Sequence, residues 1–276
     1  MMVQLLMPLA LSATLASCNA VALQEGGSLK SYAGMTASNG TLTKSRIRVE
    51  GTSLLAAKTV RIVPTSIHPA SAGNIAPREL ALVANTIDRA LCTGLSERFE
   101  IVAPSQLADL TVHATVTRIV PTNKSAATVS SVASIGATAV SVPMPRIPIG
   151  LGGLAVEAEA TNMLGAQMAA IVWARGADML TTQARASAVG DAYSLSSAFG
   201  KDFSKMLVTG KDPLKGMPQV PSVRKMTAAL GGKSKFEACR TFGEAPGVTG
   251  MIAGRLGLPP AWSDKGASTK QFTQPH

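Results

Sequence analysis

The groups able to do chemistry in this chain are few, and sulfur leads them. Cysteines stand at 18, 92 and 239, histidines at 68, 113 and 276, and Glu157 and Glu159 sit two positions apart. Cys18 has the most informative surroundings. Leu15-Ala16-Ser17 precedes it directly, at the end of an apolar run from Leu5 to Ala16. Small residues before a cysteine, after a short apolar core, are the context in which lipoprotein signal peptidase cuts. The Cys18 thiol would then carry a diacylglyceryl group, and the freed amino group a further acyl chain such as palmitate. Each buried methylene contributes about 0.8 kcal/mol, and two chains already hold a protein stably on a bilayer. The run is twelve residues long and broken by Pro8. That is short of the roughly 20 residues a membrane-spanning helix needs, so residues 1–17 read as a signal peptide. Met1 to Gln4 lack the Lys or Arg with which such leaders normally open. The competing reading is an ordinary signal peptide with an incidental cysteine. Asn19, standing where an Asp would favour the inner membrane, points to the outer membrane, facing the periplasm.

After acylation Cys92 and Cys239 remain, an even pair in an oxidising compartment. Joined, they close a loop of well over a hundred residues, which the chain-entropy account values at about 4 to 5 kcal/mol. The alternative is one buried thiol on a helix and one exposed thiol in a tail. None of the histidines has another His, Cys or carboxylate at metal-ligand spacing, so no metal or other cofactor is expected. His113 lies among threonines and reads as a solvated strand residue. A hydrolase would use it as a base with Glu157 and Glu159, which share one strand face. Neighbouring positions on an exposed sheet face explain the two glutamates more simply. Gly150-Leu151-Gly152-Gly153-Leu154-Ala155 has the letters of a dinucleotide fingerprint but precedes a strand, where the phosphate site needs a strand before it and a helix after it. Thr209-Gly210-Lys211 lacks the upstream glycine of a phosphate loop, and no Gly-x-Ser-x-Gly elbow occurs. A non-enzyme is expected.

Removal of residues 1–17 leaves 259 of the 276 residues, enough for one domain with extensions or two small ones. No later stretch is long and apolar enough for a transmembrane helix. The net charge is +10, unevenly spread: residues 211–276 hold 10 Lys/Arg against 4 Asp/Glu, a net of +6. A basic tail beside a membrane is drawn to anionic lipid, lipopolysaccharide or cell-wall carboxylates; a tail that only aids solubility explains it equally well. Aromatics are 4% of the chain, and no basic-aromatic interleaving offers a stacking surface for nucleic acid.

The elements that must position these residues follow from periodicity. Residues 18–53 are rich in Gly, Ser, Ala and Thr and read as a lipidated, flexible tether, with Tyr32 and Met35 hinting that part of it docks. Order is expected from Leu54 and a periplasmic domain over 54–210. Lys58 to Pro64 alternates like a strand. From Pro77, Leu80, Val83, Ala84, Ile87, Leu91 and Leu95 recur at helical spacing. Short strands at Phe99 to Val102 and Leu110 to Thr117 follow. Leu154 to Thr161 and Met168 to Arg175 form a hairpin around Asn162-Met163-Leu164-Gly165. A second helix, from about Asp191 to Val208, carries Leu195, Phe199, Phe203 and Leu207 and is stopped by Gly210 and Pro213. This order predicts an α+β fold, a mixed or largely antiparallel sheet with two helices on one face. Residues 211–276 form a basic extension whose end, from Ser263 to His276, is expected to be disordered.

Pro121 to Gly150 separates two strands by more than an ordinary loop. It reads first as a flap or plain loop. Its other readings are a homo-oligomer contact and a hairpin that enters a membrane when subunits close into a ring or export pore.

The segments Leu29-Lys30-Ser31-Tyr32-Ala33-Gly34, Gly40-Thr41-Leu42, Arg61-Ile62-Val63-Pro64, Leu95-Ser96-Glu97-Arg98-Phe99, Pro104-Ser105-Gln106, Ala108-Asp109-Leu110 and Gly190-Asp191-Ala192-Tyr193 resemble an uncharacterised family of bacterial lipoproteins known only as domain of unknown function 3313. The resemblance spans roughly residues 28–213 and implies no activity. The element order is also similar to the periplasmic domains of the curli-secretion lipoprotein and of lipoprotein activators of cell-wall synthases, a likeness of fold alone. The leading expectation is a lipid-anchored, non-catalytic envelope lipoprotein that binds a protein or cell-wall partner. The ring or pore component comes second and the hydrolase third.

Overall fold

Among the described residues, eight strands form one mixed sheet, with two long helices packed across one of its faces. The computed structural model describes residues 21–128, 150–216, 227 and 230–264. The strands are β1 (Thr36–Asn39), β2 (Thr43–Val49), β3 (Thr59–Ile62), β4 (Ser66–Ile67), β5 (Glu100–Ile101), β6 (Leu110–Val120), β7 (Gly153–Asn162) and β8 (Gln167–Gly176). Their order is β1-β2-β8-β7-β6-β3-β5, with β4 also paired to β6. β3 runs parallel to β5 and β6, β4 runs parallel to β6, and the other pairs are antiparallel. The helices are α1 (Gly51–Ala56), α2 (Pro69–Ala72), α3 (Pro77–Leu95), α4 (Gly190–Thr209), α5 (Gly247–Arg255) and α6 (Pro260–Ser263), with a 3-10 helix at Glu237–Phe242; residues 124–128 are helical as well.

α3 starts where Pro77 supplies a preset φ and Glu79 faces the first turn. Leu80, Val83, Ile87, Leu91 and Leu95 enter the core, one or two per turn. α4 brings Leu195, Phe199, Phe203, Met206 and Leu207 to the same core and ends at Gly210, whose φ of +64° is left-handed. Between the helices and the sheet, Trp173 of β8 meets Phe199 edge-on at 5.6 Å, and Phe199 stacks on Phe203 at 6.0 Å. The indole Nε1 donates to Asp202 at 3.0 Å, so the buried ring keeps its one polar group satisfied. The expected α+β architecture with two helices on one sheet face is what the chain adopts.

Two regions differ from expectation. Residues 21–53 are not a free tether. Residues 36–49 supply two strands of the sheet, and residues 21–35 cross the face of the sheet that the helices leave open. β2 joins because Thr43, Ser45 and Ile47 alternate inward and its backbone pairs with β8 over seven residues. The extension 211–276 is tied to the body at several points, two of them deeply buried. Cys239 of the 3-10 helix is disulfide-bonded to Cys92 of α3, with Cα atoms 5.8 Å apart and 147 positions between them in sequence. Asp264, expected in the disordered end, is 2% exposed. It accepts from the Arg89 guanidinium of α3 and from the Tyr193 hydroxyl of α4 at 2.9 Å. Residues 265–276, the rest of that expected disordered end, lie outside the described residues.

The molecule has two ends. At one lie the β7–β8 turn and the loop before β6, called here the hairpin end. At the other lie the last residues of β6 and β8, the first of β7, and the N-termini of α3 and α4.

Candidate functional site

The site grows out of Glu157 and Glu159 on β7. Alternation puts both on the face away from the helices, and both are buried, at 0% and 4% exposure. The expectation of an exposed pair is therefore corrected: residues 21–35 cover them. Glu157 accepts from Ser28 N at 2.6 Å, Gly26 N at 3.0 Å and the Tyr32 hydroxyl at 2.7 Å. Glu159 accepts from Lys30 N at 2.9 Å and Gln167 Nε2 at 2.7 Å. A buried carboxylate without hydrogen bonds is costly; here main-chain amides stand where water would.

Gly26 and Gly27 make this approach possible. A Cβ on Gly26 would meet Thr117 Cγ2 at 2.6 Å and a Glu157 oxygen at 3.1 Å, and Gly27 sits at a left-handed φ of +75°. On either side, Val21 packs on Ala155 and Ala174, and Leu29 on Ala170 and Val172 with Tyr32 and Met35 against them. Burial first, and then the hydrogen bond and charge of Glu157, push the Tyr32 pKa up to about 12, so its hydroxyl stays a donor at neutral pH.

This strap stops short of β6 and β3 at the hairpin end and leaves an open groove of about 290 Å³. Lys30 comes from the strap, Arg61 from β3, Thr111 and His113 from β6, Thr161 and Asn162 from the end of β7, and Leu107 and Met163 form an exposed apolar rim. None of the lining residues is acidic. Arg61 donates through Nη2 to Thr111 Oγ1 at 3.1 Å and through Nη1 to the Pro104 carbonyl at 3.4 Å. Its Nε is shielded and makes no hydrogen bond among the described residues. Lys30 Nζ is held over the groove by the Gly165 carbonyl at 2.7 Å. Desolvation lowers the His113 pKa below its ordinary 6.5; Glu159 opposes this, while Arg61 and Lys30 add to it. Two fixed positive charges and a proton-accepting imidazole therefore face a small open space, an arrangement that takes up carboxylates or phosphates.

Among the sequence candidates, His113 and Glu159 are directly paired across β6 and β7. The Glu159 carboxylate is nonetheless engaged by Lys30 N and Gln167, on the strap side of the sheet. Leu15, Ala16, Ser17 and Cys18 lie outside the described residues. So does most of the 121–150 segment, residues 129–149; residues 124–128, before it, are helical. Among the described residues no cluster of His, Cys, Asp or Glu suits a metal ion, and no helix is long and apolar enough to cross a membrane. Nothing in the sequence marks Lys30 and Arg61 as a pair. They are 31 positions apart, and only the strap's route brings them together.

A family model described as a protein of unknown function (DUF3313) matches residues 24–203. No curated protein matches the chain. Two solved structures of dodecamers from Paraburkholderia phytofirmans are similar in part. A PelC variant is 12% identical, with 63% of this chain and 97% of that chain covered and a TM-score of 0.32. PelC itself is 15% identical, with 64% and 100% covered and a TM-score of 0.31. A likeness at that level says nothing of how this chain assembles or acts.

Proposed function

The chain belongs to the DUF3313 family of proteins of unknown function, and since that membership assigns no activity, we propose from its own residues that it is a lipid-anchored envelope lipoprotein with a non-catalytic binding body. In this reading Cys18 carries the acyl chains, the body faces the periplasm from the outer membrane, and the groove takes an acidic cell-wall component. The observation that carries the reading is the Cys92–Cys239 disulfide. It fits an oxidising compartment, and it leaves, of three cysteines, the one that follows Leu15-Ala16-Ser17. The groove supports the binding role, because Lys30 and Arg61 stand in it with no acidic residue among its lining.

The test is labelling of cells with radioactive palmitate, followed by fractionation. The wild-type chain should carry label in the membrane fraction, and Cys18→Ala should lose the label and appear among soluble periplasmic proteins. A wild-type chain that stays unlabelled sinks the anchor. For the groove, calorimetry with a galacturonate oligomer should show binding that tightens on acidification, as His113, whose pKa burial holds below its ordinary value, gains its proton. Arg61→Gln should weaken it about tenfold, roughly the 1.4 kcal/mol expected of one charge-assisted hydrogen bond. Equal binding of a neutral oligosaccharide would remove the groove from the proposal.

A further inference from the structure

α5 is built inside out. Its buried residues are Gly250, Ala253 and Gly254, small enough for the helix to lie close on the segment between β8 and α4. Arg185 of that segment donates to the Gly250 carbonyl at 3.3 Å, and Gln183 and Arg185 leave no room for a Cβ on Gly254. The outward side carries Val248, Met251, Ile252 and, just past the last turn, Leu256, each 40 to 54% exposed. Spacings of three, four and eight place these four on one face of a helix. Arg255 is exposed beside them, and Trp262 of α6 follows at 65% exposure. Single exposed apolar residues are ordinary, but four on one side of a helix, with an exposed Trp and a basic residue beside them, form a contiguous patch of the kind that marks an interaction surface.

The start of the described chain indicates what covers this face. Val21 packs against Ala155 and Ala174, beside Gly153 at the end of the sheet where β7 begins. Gly153 pairs with Gly176, the residue from which the chain leaves β8 for the segment that α5 packs on, and Ala186 of that segment donates to the Gly257 carbonyl. α5 and the point where the strap begins therefore belong to the same end of the molecule. Val21 is three positions from Cys18 in sequence, a reach of roughly 11 Å when fully extended. An acylated Cys18 would hold this end, rather than the hairpin end, against the bilayer.

We infer that the outward face of α5, with Trp262, docks into the headgroup layer of the leaflet that holds the Cys18 acyl chains. The inference rests on the lipoprotein reading above. It turns the cationic groove, at the hairpin end, away from the membrane and toward the cell wall. Arg255 and the net charge of +6 over residues 211–276 favour an anionic surface.

The chain has two tryptophans, Trp173 fully buried and Trp262 exposed, so emission from Trp262 reports the docking. The acylated full-length protein is reconstituted into vesicles of phosphatidylcholine and phosphatidylglycerol, with or without bromine on the acyl chains, and floated. Expected is co-flotation with at least twofold quenching of the Trp262 emission by brominated lipid. Trp262→Phe should remove the quenched component. Ile252→Glu, on an exposed position, should abolish most of the quenching while the protein still floats. Flotation without quenching overturns the docking and keeps the anchor. Trp262 shielded instead by a second copy in a stable oligomer of the reconstituted protein also overturns it. Failure to float removes the anchor and the docking together.

Discussion

Against α3 and α4 the sheet is covered by side chains, with Trp173 on Phe199, Phe199 on Phe203, and Leu80 to Leu95 of α3 alongside. Against residues 21–35 it is covered largely by backbone, whose amides converge on two buried carboxylates while Val21 and Leu29 contribute small apolar clusters. The first closure is non-directional and grows with the apolar area removed from water. The second is directional and depends on a few donors placed within tenths of an ångström. One face should therefore lose stability to lost volume, and the other to lost hydrogen-bond geometry.

The largest effect is expected on the helical face. Phe199→Ala removes a fully buried ring from the aromatic stack and should cost about 3 to 5 kcal/mol, read as a fall in the denaturant midpoint with all probes moving together. If the strap detached at lower denaturant than the helices in this variant, the two closures would not be one cooperative unit.

The strap should respond next. Glu157→Gln puts an amide where Gly26 N and Ser28 N donate and should cost about 2 to 3 kcal/mol. Its signature is local: amide exchange at Gly26, Ser28 and Lys30 speeds up at least tenfold, while Ile87 and Leu91 of α3 keep their protection. Gly26→Ala, crowding Thr117, should give the same pattern more weakly. Equal acceleration in α3 would erase the distinction between the faces.

The smallest effect at any one pH step is a slope. Asp88 of α3 is a buried carboxylate on the helical side; it accepts from Thr65 N at 3.0 Å and from the Thr65 hydroxyl at 2.5 Å. Burial outweighs these bonds and the nearby Arg89, and raises its pKa from 3.8 to about 7. Between those values the folded protein holds a proton that the unfolded chain has lost. The stability this group contributes is therefore full below pH 3.8 and is lost as pH rises through about 7. Asp88→Asn should flatten that part of the stability curve by at most about 1.4 kcal/mol per pH unit, measured by denaturant titration at pH 4.5, 6 and 7.5.

The same difference explains what could be read from the sequence. α3, α4 and β6 to β8 were legible because Leu80, Val83, Ile87 and Leu91, or Leu154, Val156 and Ala158, repeat at the period of their element. β2 was overlooked because its inward set, Thr43, Ser45 and Ile47, is mostly polar and its outward set, Lys44, Arg46 and Arg48, is basic; the alternation was present, but the contrast was low. The strap is illegible for a deeper reason. Glu25-Gly26-Gly27-Ser28 has the composition of a flexible linker, yet its glycines serve close approach to Glu157, and amide donors leave no trace in side-chain chemistry. Tyr32 and Met35 were the available hints, and both do dock. The groove inherits this illegibility, since Lys30 reaches it only when the strap is in place.

The Cys92–Cys239 bridge makes the chain, in covalent terms, a ring with two tails. The ring encloses β5 to β8 and α4; the strap, β1 to β4 and most of α3 lie on the leading tail. A protease that cuts once between residues 93 and 238 opens the ring without releasing a fragment, and the pieces part only on reduction. The ring closes only when the thiols at positions 92 and 239 meet and are oxidised. Position 239 follows all eight described strands and both long helices, so the bond cannot form before every segment of the sheet and of its helical cover exists.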